Sequence, residues 1–251
     1  MHMPRLKPKL LVSIWTVDEV PEVIGGDADI IDIKDPSAGS LGLPSLDTVL
    51  AVISKVKGYK EVSVAVGDIR DYTQALSYIA YTLSSLNVNY IKMGIEVEDF
   101  NNALSIVSQI KRTVEFCNSN VNIVLVGYAD WKSIGVLEPL EIIELAKIAR
   151  VRVVMIDTRI KNGKSTFDHL SPKYLKEFVA SAHKNGFRAA IAGGLKIEYL
   201  PECVNLGFDV IGVRTAACSG VRLGKISREA IIALKTEIEK QWKRIVQSLD
   251  S

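Results

Sequence analysis

Histidine and cysteine are scarce in this chain, and their scarcity removes several kinds of chemistry at once. The only histidines are His2, His169 and His183, with no H-x-x-H or H-E-x-x-H pair among them. A transition-metal site and a histidine-based triad have almost no material, so neither a metal nor a cofactor is expected. The cysteines are three, Cys117, Cys203 and Cys218, far apart and without C-x-x-C spacing. They read as reduced thiols acting as small hydrophobes in a cytoplasmic protein. No apolar stretch reaches the roughly 18 residues that a transmembrane candidate needs, and the first apolar run is too short for a signal peptide. An excess of one charge is also missing: 31 Lys+Arg against 29 Asp+Glu leave a net +2. That balance argues against a general nucleic-acid binder, which gains affinity by displacing counterions with basic side chains. A small-molecule partner is expected, with neither nucleic acid nor membrane.

What is present is the usual globular mixture, 48% hydrophobic and 24% charged over 251 residues. Length alone fits one α/β barrel or two smaller domains. Eight short, Val/Ile-rich runs read as strands: 10–14, 29–34, 61–66, 88–93, 122–126, 151–157, 187–192 and 208–213. Their near-continuous apolar character suits parallel strands covered by helices. Amphipathic stretches alternate with them at 17–24, 46–56, 71–86, 97–116, 140–149, 172–184, 197–206 and 228–249. Asp71 with Gln74 reads as a capping pair, Ser171-Pro172 as an N-cap followed by proline, and Pro201 as an interruption. Alternation of this kind predicts a single-domain (β/α)8 barrel over 10–251, with residues 1–9 an N-terminal extension whose Met1-His2-Met3 looks like an added remnant. An open doubly wound sheet is the second choice; the first strand lacks the G-x-G-x-x-G that such sheets use. The last helix offers Ile231, Ile232, Leu234, Ile238, Trp242 and Ile245 as a face for a second copy, although packing on the barrel is its simpler use.

Strand parity then exposes a cluster. Ile31 and Ile33 share the face that helices require, so Asp32 and Lys34 point into the barrel. By the same argument Lys92 points inward beside Tyr90, and Asp157 is the last inward position of its strand. All four lie toward the C-terminal ends of their strands, where barrel enzymes keep their chemistry. An ammonium among apolar strands is costly unless paired, so Lys34–Asp32 and Lys92–Asp157 ion pairs are one structural use of these residues. The other use is catalytic. Burial and neighbouring cations both disfavour a charged amine, and a neutral lysine can form a Schiff base. The iminium is an electron sink that lets a proton leave the adjacent carbon, with the second lysine or Asp157 moving protons.

A phosphate site is the companion expectation. Gly193-Gly194 follows the seventh strand and Arg214-Thr215-Ala216 follows the eighth, the two turns at which barrels often hold phosphate. Glycine allows close backbone approach and the Arg214 guanidinium can fork onto an oxyanion. Lys161, Lys164, Arg222 and Lys225 could meet a second anion or simply face solvent.

The segment running from Gly25 to Pro36, with Asp32-Ile33-Lys34-Asp35-Pro36 at its end, followed by Gly39-Ser40-Leu41-Gly42, resembles the signature of the archaeal (5-formylfuran-3-yl)methyl phosphate synthases, also called 4-(hydroxymethyl)-2-furancarboxaldehyde-phosphate synthases. Tyr90-Ile91-Lys92-Met93-Gly94, Ile156-Asp157-Thr158, Lys161-Asn162-Gly163-Lys164 and Phe167-Asp168 are similar to its later motifs. Ser13-Ile14-Trp15 and Leu43-Pro44 depart from the pattern. The resemblance implies a barrel that joins two molecules of glyceraldehyde 3-phosphate into a furan aldehyde phosphate on the way to methanofuran. It also implies roles: Lys34 as the Schiff-base lysine, Lys92 as proton acceptor, and Asp157 and Lys161 in proton transfer and anion binding. Strand parity adds Asp32 as the group that orients Lys34. Two alternatives stand beside this reading. A different Schiff-base aldolase or dehydratase would show the same borohydride labelling with another sugar phosphate, whereas a non-catalytic phosphate-binding barrel would show none.

Overall fold

The computed structural model describes residues 6–219 and 224–249; of the readings above, residues 1–5 of the extension, Arg222 and residues 250–251 lie outside them. Eight parallel strands pair in chain order and close: β1 (Lys9–Ile14), β2 (Ile30–Ile33), β3 (Glu61–Ile69), β4 (Tyr90–Ile95), β5 (Asn122–Tyr128), β6 (Val153–Asp157), β7 (Arg188–Ile191) and β8 (Val210–Val213). β8 returns to β1, with Lys9 opposite Val210. The helices are α1 (Val20–Gly25), α2 (Leu46–Val56), α3 (Gln74–Ser85), α4 (Phe100–Cys117), α5 (Trp131–Ile134), α6 (Pro139–Ile148), α7 (Thr166–His169), α8 (Pro172–Lys184), α9 (Leu200–Leu206) and α10 (Arg228–Leu249). No helix among the described residues is long and apolar enough to cross a membrane.

The closed sheet separates two apolar shells. The outer one joins strand residues such as Ile31, Ile33, Ile91 and Met93 to the helix faces. The inner one fills the barrel with Leu11, Ile30, Ala65, Tyr90, Val124, Val126, Met155 and Ala190. Alternation therefore sends neighbouring side chains to opposite shells, as the period of two requires.

Several helix boundaries follow from local chemistry. Ser45, Asp99 and Ser171 each accept a backbone N–H of the first turn, at Thr48, Asn102 and Tyr174. The Asp71 cap does not form: α3 starts at Gln74 behind an extended Thr73. Pro201 lies in the first turn of α9, where its missing N–H costs nothing, so it begins the helix instead of interrupting it. The amphipathic stretch at 17–24 divides into a 3₁₀ turn, Val17–Glu19, and α1. α5 and α7 are single-turn helices in the loops after β5 and β6, too short for a periodic signal. α10 buries Ile231, Leu234 and Ile238 against the barrel, with Lys235 reaching Asp29 at 2.5 Å, and leaves Ile232 exposed.

Candidate active site

Register brings the polar groups together. Ser13 of β1 stands beside Asp32 of β2, which stands beside Ser63 of β3. Both hydroxyls donate to the Asp32 carboxylate at 2.8 Å. Lys92 on β4 completes the set with Nζ 2.6 Å from Asp32 Oδ2. Asp32 and Lys92 are 0% and 1% exposed, so this is a fully buried ion pair held by two further hydrogen bonds. Burial alone would raise the Asp32 carboxyl; the charges of Lys92 and then Lys34, with the Lys92 and Ser13 hydrogen bonds, hold it below its ordinary value.

On the other side, Asp157 ends β6 and takes Lys161 of the following loop at 2.7 Å. Lys161 also reaches Thr158 Oγ1 at 3.1 Å, and the Thr158 N–H donates to Asp157 at 2.7 Å. Against the penalty of burial, Lys161 first and then Lys34 hold the Asp157 carboxyl at about 2.

The pairing thus crosses the simple expectation. Lys92 belongs to Asp32 and Lys161 to Asp157; neither a Lys34–Asp32 nor a Lys92–Asp157 contact is made. Among the described residues the Lys34 amine has no ion-pair or hydrogen-bond partner, although the side chain is only 7% exposed. Its pKa is pushed down to about 7. Burial is the leading cause; Asp157 and Asp32 pull upward, while Lys92 and Lys161 push further down. Crowding by cations is therefore a contributor and not the main agent.

Lys34, Lys92, Asp157 and Lys161 line a cavity of about 330 Å³ at the C-terminal mouth, whose opposite wall is Gly193, Gly194, Arg214 and Thr215. Asp32 lies beneath this surface, out of contact with the cavity. Ala216 is packed against the outer shell and does not line it. Gly193 and Gly194 have φ of +92° and +61°. A Cβ on Gly193 would stand 2.5 Å from Thr166 Oγ1, and one on Gly194 2.7 Å from the Lys164 carbonyl oxygen. The two glycines let the loop after β7 press against the loop after β6.

Arg214 departs from expectation. Its guanidinium is held by Glu19 at 2.8 Å, with Nη1 3.1 Å from the Ser13 carbonyl and Nη2 3.2 Å from that of Gly224. A carboxylate of the β1–α1 loop, 195 positions away, occupies the fork assigned to an oxyanion. The backbone of Gly193, Gly194 and Thr215 forms the rest of that wall.

Some contributors were not singled out from sequence. Ser13 and Ser63 carry the right parity and could have been found by it. Asp68, Tyr128, Glu96 and Arg159 form a second, partly buried polar cluster over the β3–β5 side: Tyr128 donates to Asp68 at 2.5 Å, and Arg159 lies 3.1 Å from Glu96. Asp68 follows a register shift in β3, which hides its direction from simple alternation.

The family model described as 4-HFC-P synthase matches residues 10–235. The chain is 38% identical over 229 residues to the (5-formylfuran-3-yl)methyl phosphate synthase of Methanocaldococcus jannaschii, covering 90% of this chain and 97% of that one. It is 36% identical over 232 residues to the protein of that name from Methanosarcina barkeri, covering 92% and 99%. Among solved structures, KGPDC from Streptococcus mutans in complex with D-R5P matches with a TM-score of 0.64 at 16% identity, over 94% of this chain and 99% of that one. The 3-hexulose-6-phosphate synthase from Salmonella typhimurium matches at 0.63 and 17%, over 93% and 99%. At such identities these structures speak for the barrel alone. Motifs, geometry and relatives agree: the chain belongs to the 4-HFC-P synthase family.

Proposed function

We propose that this protein is a Schiff-base lyase of methanofuran biosynthesis, acting in the cytoplasm. It condenses two molecules of glyceraldehyde 3-phosphate into (5-formylfuran-3-yl)methyl phosphate. All six carbons are retained, one phosphoryl group leaves as inorganic phosphate, and two waters are lost. The observation that carries this reading is the unpartnered, buried Lys34 amine in the cavity, with a pKa of about 7. A neutral amine near pH 7 attacks a carbonyl carbon, and loss of water gives an iminium. The iminium accepts the electrons left when a proton departs from the adjacent carbon, which then bonds to the second aldehyde.

The protons move through the flanking pairs. Lys92, paired with Asp32, works on one side of Lys34: its ammonium first gives a proton to a departing oxygen, and the neutral amine then accepts one from the carbon beside the iminium. Asp157 and Lys161 exchange protons and meet anionic oxygens on the other. One phosphate lies against the backbone of Gly193, Gly194 and Thr215, where glycine leaves room for close approach. Arg214 contributes by fastening that wall to the β1–α1 loop through Glu19.

Incubation with glyceraldehyde 3-phosphate under borohydride, followed by peptide mapping, tests the reading. The expected result is a reduced adduct on Lys34 and, without borohydride, a furan aldehyde chromophore. An adduct without the chromophore would assign a different sugar phosphate. Saturable binding with no adduct would replace the enzyme by a phosphate-binding barrel.

A further inference from the structure

The Gly39-Ser40-Leu41-Gly42 segment has a task that the chemistry at Lys34 does not itself explain. Residues 35–42 leave β2 and return on themselves, with the Asp35 N–H donating to the Gly42 carbonyl at 2.9 Å. A Cβ on Gly42 would fall on the Asp35 carbonyl oxygen, so only glycine closes the loop there. The loop's crest lies across the barrel mouth. Asp68 of β3 grips it, accepting the Ser40 N–H at 2.8 Å and the Leu41 N–H at 3.4 Å. Gly39, at φ +131°, runs so close to Asp68 that a Cβ would strike the carboxylate. The Leu41 side chain, fully buried, enters the inner shell of the barrel. The second carboxylate oxygen of Asp68 is taken by Tyr128 at 2.5 Å.

The far end of this strap touches the site. Ser40 Oγ donates to the Thr158 carbonyl at 2.8 Å, joining the loop after β2 to the turn after β6 across the mouth. Thr158 is the residue whose N–H holds Asp157 and whose hydroxyl meets Lys161. Asp130 secures the next residues from below, accepting the Arg159 and Ile160 N–H groups at 2.7 and 2.8 Å. Lys34 is held differently, by its own strand and by its N–H to the Ile14 carbonyl at 3.0 Å.

We propose that Ser40 and Asp68 are positioning residues for the Asp157–Lys161 pair: Asp68 anchors the strap, and Ser40 transmits the anchorage to Thr158. The inference rests on the Schiff-base reading, in which Lys34 forms the adduct and Asp157–Lys161 moves protons after it. Loosening the strap therefore slows turnover while leaving adduct formation at Lys34 nearly intact.

The test compares wild type with Ser40→Ala and Asp68→Asn, using glyceraldehyde 3-phosphate as probe. Steady-state constants, borohydride labelling of Lys34 and the thermal midpoint are measured for each. The expected result is a kcat lower by about fivefold to tenfold, with KM and labelling within about twofold of wild type. Asp68→Asn keeps the shape of the anchor, so the pair remains informative if one variant folds poorly. Wild-type kcat in both variants overturns the proposal. So does a parallel fall in kcat, labelling and thermal midpoint, which is what general loosening of the barrel produces. A wild-type enzyme that turns over without labelling overturns the Schiff-base reading instead, and the kcat-against-KM split still decides the strap.

Discussion

Lys34 shows how one residue is set apart by being left over. Two carboxylates lie inside the barrel near Lys34, and each is claimed at 2.6–2.7 Å by another lysine. What remains is an amine without a partner, in surroundings that disfavour its charge. Because only the neutral form attacks a carbonyl, labelling of Lys34 by glyceraldehyde 3-phosphate and borohydride should rise with pH up to about 7 and level off above it. Lys34→Ala should abolish the label. A label rate still climbing toward pH 10 would mean an ordinary lysine. Asp32 makes the complementary case. Its removal in Asp32→Ala leaves Lys92 charged, buried and without its carboxylate, and should cost about 3–5 kcal/mol in urea unfolding.

At the scale of elements, strands aim the groups and loops relate them. The Tyr90-Ile91-Lys92-Met93-Gly94 motif ends in glycine because the Tyr128 hydroxyl occupies the place of a Cβ at position 94. Gly94→Ala must displace Tyr128 from Asp68, and with it the anchor of the strap. We expect Gly94→Ala to destabilise the barrel by about 1–3 kcal/mol, the usual cost of overpacking, and to cost less in a Tyr128→Phe background. A double-mutant cycle in thermal or urea unfolding reads this directly; strict additivity would separate the two residues. Parity in β2, β4 and β6 was enough to place Asp32, Lys34, Lys92 and Asp157 on the inner face. Parity could not choose among their pairings, since alternation assigns a face and not a distance across the barrel. The Glu19 partner of Arg214 was hidden for a related reason: nothing near Arg214 in the chain announces it.

For the molecule as a whole, the site is a source of instability that changes with pH. An unfolded chain protonates Lys34 below 10.5, whereas the folded barrel does so only below about 7. Between those values the unfolded state alone holds the proton, so stability falls as pH drops through the window and changes no further below it. The contribution at pH 7 is of order 5 kcal/mol against folding. Lys34→Met should accordingly raise the thermal midpoint at pH 7 by several degrees, with a smaller gain at pH 10, while removing activity; calorimetry at the two pH values checks it. Asp157 runs the opposite way. Its pKa of about 2 lies below the ordinary 3.8, so its contribution is present above that range and is lost as acid protonates it toward pH 2.

The sequence by itself determined the barrel, the inward face of Asp32, Lys34, Lys92 and Asp157, and the family, because alternation and contiguous motifs are local properties of a chain. Only the tertiary structure decided which lysine stays unpaired, which partner Arg214 takes, and how the Gly39–Gly42 crest reaches Thr158. Those outcomes depend on groups far apart in the chain competing for the same few ångströms, and such competition is resolved only when the barrel closes.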